Sequence, residues 1–261
     1  MPLDPRHLPD PTVALRERTF DFARGELLLV DKPGGWTSFD VVNRLRYRLR
    51  KLTGVKRIKV GHSGTLDPMA TGLLLVATGK ATKALTALTG LPKTYTGVIR
   101  FGGSTPSYDA DTEVDAEHAV GHLTEERIRD TAQAEFTGWI EQTPPVYSAI
   151  KVGGKRAYKS AHAGKALDMP TRRVHVERFE ITAYEPPDAR FEVACSKGTY
   201  VRSLAHDLGA ACGSGAHLAA LRRTRIGDYD LRDADTVDAW SDYLDEAVER
   251  LSGGDVAAGS A

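Results

Sequence analysis

Apolar positions along the chain fall into blocks whose spacing separates strands from helices. Leu27-Leu28-Leu29-Val30 is a continuous apolar run and predicts a buried strand. Val41, Val42, Leu45, Leu49 and Leu52 then recur at helical spacing, with Ser38 as the expected N-cap. Leu73 to Thr78 predicts a central strand, and Ala81 to Leu91 a helix stopping at Thr89-Gly90. Lys93 to Gly102 alternates as a strand, and residues 102–115 read as a loop. Thr124 to Gly138 predicts an amphipathic helix, with Glu125 and Glu126 in its first turn and Gly138 at its end. Val174 to Ala183 and Arg190 to Ser196 alternate as two strands, Lys197 to Gly209 passes from strand into helix, and Val237 to Leu251 is an acidic helix.

One stretch breaks this rhythm. Gly61-His62-Ser63-Gly64-Thr65-Leu66-Asp67-Pro68 gathers glycines, hydroxyls, a histidine and one carboxylate directly ahead of core residues. Pro68 pushes Asp67 towards an extended backbone, so the carboxylate sits on a stiff loop. Such a group can be a nucleophile, a general base, a metal ligand or a turn-former that caps amides. Three generic motifs fail here. The second glycine of a nucleophile elbow is one place early at Gly64. A phosphate loop around Gly79-Lys80 would need glycine and hydroxyl residues where Leu74 and Ala81 stand. A calcium loop would need alternating carboxylates, and Asp67 stands alone.

Composition bounds the picture. The chain has 261 residues, 41% of them hydrophobic and 27% charged, which fits a soluble globular protein of one large domain or two small ones. No apolar run approaches bilayer-spanning length. Residues 1–24 hold four prolines among polar residues and read as a loosely held extension. Cys195 and Cys212 imply no disulfide framework and suit a reducing cytoplasm. With His206 and His217 they could sketch a zinc site, but without a C-x-x-C pair they read as small buried thiols. The net charge of zero conceals a split, because residues from Asp228 onward carry 10 acids against 2 bases. The body before them is therefore basic, which is compatible with a nucleic-acid partner. Arg44, Arg46, Arg48, Arg50, Lys51, Lys56, Arg57 and Lys59 follow one another with no acid among them, either as a solvated face or as a phosphate contact.

The 61–68 stretch, continued by Ala70-Thr71-Gly72-Leu73-Leu74, resembles the signature loop of the TruB family of tRNA pseudouridine synthases, with Ser63 for the usual Thr and Met69 for the usual Leu. Further stretches resemble the family in the same order: Asp31-Lys32-Pro33-Gly34-Gly35-Trp36-Thr37-Ser38, Gln142 to Lys151, Lys197 to Gly209, and Gly215 to Arg225. At 102–111 the family usually has Thr-Asp-Thr; Pro106 and Ser107 depart from it, while Asp109 is retained. The likeness runs over about residues 25–227. The acidic 228–261 segment is too short for the PUA-type RNA-binding domain with which family members commonly end.

The resemblance implies an α+β pseudouridine-synthase fold, a mixed, largely antiparallel sheet flanked by helices. A basic thumb is inserted at about 140–173, carrying Lys151, Lys155, Arg156, Lys159, Arg172 and Arg173 against the RNA; without the family these would be a charged exposed hairpin. It implies isomerisation of the T-loop uridine at position 55 of tRNA, by a monomer needing no membrane, obligate protein partner, metal or organic cofactor. Asp67 would attack or stabilise the sugar, with Arg202 beside it keeping the carboxylate ionised. Tyr95 would stack on the flipped uracil, worth roughly 1–3 kcal/mol against the few lost on extracting the base. His62 would fill the vacated space, Tyr200 and Leu221 would wall the pocket, and Lys32 would support the loop. A tRNA-binding chaperone would need the basic surfaces but neither Asp67 nor Arg202, a hydrolase would release free uracil, and an RNA-guided synthase would carry a partner-binding extension.

Overall fold

The computed structural model describes residues 15–148, 150–152, 155–156 and 169–254. The chain forms two compact units, residues 1–91 with 223–261, and residues 92–222. Each carries its own part of a mixed, mostly antiparallel sheet with helices, an α+β architecture.

In the first unit, β1 (Leu27–Lys32) pairs antiparallel with β3 (Thr71–Thr78), which also pairs with β2 (Val60–His62). Both long strands are buried on both faces. Leu28, Val30, Leu74 and Val76 pack against one set of helices, while Leu27, Leu73, Leu75 and Ala77 pack with Leu88 and Ile226 on the other side. That two-sided burial is why their sequences are continuous apolar runs rather than alternating ones. Helix α1 (Ser38–Thr53) lays Val41, Val42, Leu45 and Leu49 into the first of these clusters.

The N-cap of α1 is Thr37, not Ser38. Thr37 accepts from the amide of Asp40, and Asp40 answers by accepting from the amide of Thr37. The reciprocal box satisfies two otherwise orphaned amides, which is why the helix starts one residue earlier in register than Ser38 alone suggests. Thr37→Ala is expected to cost about 1 kcal/mol, read as a lower midpoint in urea unfolding at unchanged slope.

Residues 15–24, expected as a loose extension, are built into this unit. Leu15 and Phe22 are core residues, and Thr78 Oγ1 donates to the carbonyl of Phe22 at 2.9 Å. The segment expected as one helix over 81–91 is a 3-10 turn (Gly79–Ala84) followed by the short α2 (Leu85–Gly90).

The second unit starts with β4 (Lys93–Phe101), the two-residue pair β5 (Gly103–Ser104) and β6 (Ala116–Glu117), and α3 (Glu125–Glu135), capped by Thr124. Gly138 opens β7 (Gly138–Gln142) instead of closing the helix. Lys151–Val152 (β8) and Lys155–Arg156 (β9) pair as a hairpin. Long strands β10 (Arg172–Glu185) and β11 (Asp188–Cys195) then complete an antiparallel run in the order β4, β11, β10, β7. Helix α4 (Val201–Ala211) follows, and β12 (Ala216–Ile226) carries the chain back into the first unit. Cys195 and Cys212 are buried thiols, and burial pushes Cys195 up to about 11.

The chain ends in the first unit, where β12 pairs with β13 (Tyr229–Asp230), β14 (Asp235–Thr236) runs parallel to β1, and α5 (Val237–Gly254) packs on α1. Trp240 is fully buried, and its indole N–H donates to the carbonyl of Leu29. The acids of α5 face basic side chains: Arg44 meets Asp238 at 2.8 Å and Arg48 meets Asp245 at 2.9 Å. Part of the terminal negative charge is therefore spent on α1. Among the described residues no helix is long and apolar enough to cross a membrane.

Candidate active site

Lys32, His62 and Asp67 belong to the first unit. The loop carrying Asp67 is fastened through its backbone from four directions. Gly35 N–H donates to the Pro68 carbonyl at 2.8 Å. The hydroxyl of Ser38 both accepts from Leu66 N–H and donates to the Leu66 carbonyl. Arg223, fully buried, donates to the carbonyls of Leu73 and Gly64. Lys32, also fully buried, donates from Nζ to the carbonyls of Pro33 at 2.8 Å, Trp36 at 2.6 Å and Pro68 at 3.4 Å. The stiffness expected from Pro68 thus has a physical scaffold, and Asp67 sits half-buried on it.

Gly72 enforces a further contact. Its φ of +101° is a left-handed value, and a Cβ there would lie 2.3 Å from the Arg223 carbonyl oxygen. Only glycine lets the strand after the loop approach Arg223 this closely.

Burial pulls the Lys32 ammonium down to about 8, against the favourable field of the Asp67 carboxylate. The unfolded chain therefore binds the proton more tightly than the fold does. The charge of Lys32 opposes folding fully below pH 8, and this opposition fades as pH rises from about 8 to 10.5. In the folded protein the cation beside Asp67 is itself lost around pH 8, so any help it gives the carboxylate is lost there. Turnover is expected to show a basic limb near pH 8 that Lys32→Met abolishes while lowering the plateau, measured as single-turnover rates from pH 6 to 9.5. His62, at the end of β2, is held below its ordinary pKa by burial and then by the nearby Arg223 charge, so its ring is neutral at pH 7.

Tyr95, Tyr200, Arg202 and Leu221 belong to the second unit. Tyr95 lies in β4 opposite Val193 of β11. Tyr200 caps α4, and its main chain is clamped by one side chain: Gln142 donates to the Tyr200 carbonyl at 3.0 Å and accepts from its amide at 2.7 Å. The guanidinium of Arg172 lies 5.3 Å over the Tyr200 ring. Leu221 is a buried position of β12.

Arg202 is the most enclosed of the four. It forms an ion pair with Asp109 at 3.3 Å and donates to the carbonyls of Ser107 and Tyr147. Asp109 is itself buried and accepts from Ser107 Oγ at 2.5 Å and from the Asp111 amide at 3.0 Å. Ser107, one of the departures from the family pattern, therefore supplies a hydroxyl to the retained carboxylate. The residue between them, Tyr108, has a left-handed φ of 63° and stacks on His206 with ring centroids 3.8 Å apart.

Of the thumb residues, Arg172 and Arg173 lie in β10, where Arg172 pairs across the strands with Gln142 and Arg173 sits 4.9 Å over the Trp139 ring. That pairing closes the base of the insertion. Lys151, Lys155 and Arg156 lie in the β8–β9 hairpin, and Lys159 is outside the described residues.

Residues 50–201 match the model of the TruB family pseudouridylate synthase N-terminal domain, and residues 202–251 match the tRNA pseudouridylate synthase B C-terminal domain. The chain belongs to the TruB family. It is 47% identical over 225 residues to the tRNA pseudouridine synthase B of Flavobacterium johnsoniae, covering 86% of this chain and 98% of that one. Its identity to the protein of the same name from Chloroherpeton thalassium is 50% over 228 residues, covering 86% and 91%. A solved H/ACA RNP bound to a substrate RNA containing 2′-deoxyuridine matches with a TM-score of 0.61 at 30% identity. That match covers 85% of this chain and 54% of the other, so this TruB-family chain spans about half of that protein's length. The family match carries the fold class, the pseudouridine-synthase type of mixed sheet, and the enzymatic nature of the chain. The 202–251 match begins at Arg202 itself and runs into α5, so most of the acidic helix lies within a family domain, beyond the 25–227 range of the resemblance.

Proposed function

We propose that the protein isomerises uridine to pseudouridine in tRNA, at position 55 of the T-loop. The carrying observation is the Asp67 loop, whose backbone is fastened by Lys32, Ser38, Gly35 and Arg223, in a chain 47% identical over nearly the full length of a tRNA pseudouridine synthase B.

The reaction cleaves the N1–C1′ bond, turns the base and rejoins it through C5, losing one C5 proton and gaining one at N1. Asp67 attacks or stabilises the sugar as that bond breaks. Tyr95 stacks on the extruded base and helps remove the C5 proton. Arg202 is the catalytic cation, held by Asp109 and two carbonyls so that its guanidinium has little freedom to move. Lys32 holds the Asp67 loop, His62 occupies the space the base leaves, and Tyr200 and Leu221 wall the base. Lys151, Lys155, Arg156, Lys159, Arg172 and Arg173 grip the RNA backbone from the thumb. The whole sequence is redox-neutral and imports no group.

Tritium release from transcripts labelled at uridine C5 tests this reading. One equivalent is expected from an unmodified tRNA and none from a transcript whose T-loop uridine is replaced by cytidine. Release from the second transcript would refute the assigned position, and binding without release from either would favour a chaperone.

A further inference from the structure

The eight basic residues between Arg44 and Lys59 are sorted by the fold. Arg44 and Arg48 turn to α5 and pair with Asp238 and Asp245. Arg46 donates to the Val60 carbonyl and to Asn43 Oδ1. Arg50, Lys51, Lys56, Arg57 and Lys59 are exposed and have no ion pair among the described residues. Between residues 39 and 60 the one carboxylate is Asp40, which is engaged in the helix cap.

Two aromatic rings share this face. Phe39 and Tyr47 are each 58% exposed, against the usual tendency of such rings to bury. The Arg46 guanidinium lies 5.9 Å over Phe39, and Lys51 Nζ lies 4.6 Å over Tyr47. At about 100° per residue, Phe39, Arg46, Tyr47 and Arg50 form one outward stripe, opposite the Val41, Leu45 and Leu49 face.

The stripe has a direction. It starts beside the Asp67 loop, since Ser38 bonds Leu66, and runs outward along α1. Arg50 lies about 18 Å further along the axis, beyond the reach of a nucleotide whose sugar meets Asp67. Charge alone would suit an acidic protein surface equally well. Exposed rings interleaved with unpaired cations suit a nucleic acid better, because each ring offers a stacking face and each cation a phosphate contact.

We propose that the outer stripe of α1 and the 54–59 turn form a second docking surface for the RNA, binding its backbone outside the modified loop. The proposal rests on the isomerase reading above for the identity of the RNA, but not for the existence of the surface.

The test compares wild type with the triple variant Arg50→Glu/Lys56→Glu/Arg57→Glu on two RNAs: a full tRNA transcript, and a T-loop hairpin whose stem is too short to span about 18 Å. On the full transcript the variant is expected to raise KM by about 10–100-fold at unchanged kcat. Its log–log salt dependence should be shallower by about 3. On the hairpin both constants should match wild type. Phe39→Ala/Tyr47→Ala should raise KM on the full transcript without changing the salt slope. An unchanged KM on the full transcript would overturn the proposal and leave an acidic protein as the better occupant. An equal rise on both RNAs would overturn it too, placing these residues at the T-loop itself. If wild type converts neither RNA, the isomerase reading fails, and filter binding of the full transcript to wild type and variant still decides the surface: equal affinities would overturn it.

Discussion

Asp67→Asn leaves the protein folded and RNA-bound while turnover falls by at least about 10⁴-fold. The described fastenings of the loop use the backbone of its neighbours: Gly35 and Lys32 on the Pro68 carbonyl, Ser38 on Leu66, Arg223 on Gly64. An isosteric amide leaves all of these in place. The amide also removes the favourable field on the buried Lys32 ammonium, so a stability cost of about 0.5–3 kcal/mol is expected, with the protein still folded. The neutral amide cannot attack or stabilise a sugar carbon as the carboxylate does. Single-turnover tritium release, filter binding of the transcript and urea unfolding measured side by side separate these effects. Retained turnover would refute the nucleophile, and lost binding would assign Asp67 to RNA recognition instead.

The second large effect belongs to the buried Arg202–Asp109 pair. Asp109→Ala strands a guanidinium that is nearly inaccessible to water, and such a change costs about 3–5 kcal/mol. At about 2–4 °C per kcal/mol for a chain of this size, the melting point should fall by roughly 6–20 °C. Arg202→Met should cost less, because Asp109 keeps its bonds from Ser107 Oγ and the Asp111 amide. The double variant Asp109→Ala/Arg202→Met should be less destabilised than the two single changes added together, by at least about 1 kcal/mol in a thermodynamic cycle. Turnover should be lost in Arg202→Met whether or not Asp109 is also changed. Additive stability effects would show that the two side chains do not act as a pair.

The strands and most helices were legible because their period matches their burial. Leu73 to Val76 could be read as a central strand since both of its faces are covered, and α1 because one helical stripe meets the core. The first errors came where a side chain competes with the backbone. Thr37 caps α1 ahead of Ser38 because Asp40 completes a box, and the turn after β3 tightens into a 3-10 form before α2 begins. Residues 15–24 looked loose because prolines dominate the start of the chain, yet two widely spaced apolar residues, Leu15 and Phe22, are enough to anchor them.

In the candidate site, Asp67 stood out as a lone carboxylate among glycines and hydroxyls, and Lys32 only through the resemblance. Gln142 and Arg223 lie in stretches that resemble the family, but no role was assigned to them. Gln142 acts through the backbone of Tyr200, 58 positions away, and Arg223 through the carbonyls of Leu73 and Gly64, far from it in the chain. Neither has a local pattern; a full inventory of carbonyl partners in three dimensions is what identifies them. The pairing of basic α1 with acidic α5 was similarly hidden, although the charge split itself was plain in the sequence.

The most direct test of the central claim is the fate of the base itself. A tRNA transcript carrying ring-labelled uracil is incubated with the enzyme, and the base and nucleosides are resolved after complete digestion. The account predicts one equivalent of labelled pseudouridine per transcript, located in the T-loop, with no label in free uracil. Free uracil with an abasic RNA would contradict it, since the same carboxylate would then be cutting the glycosidic bond without rejoining the base.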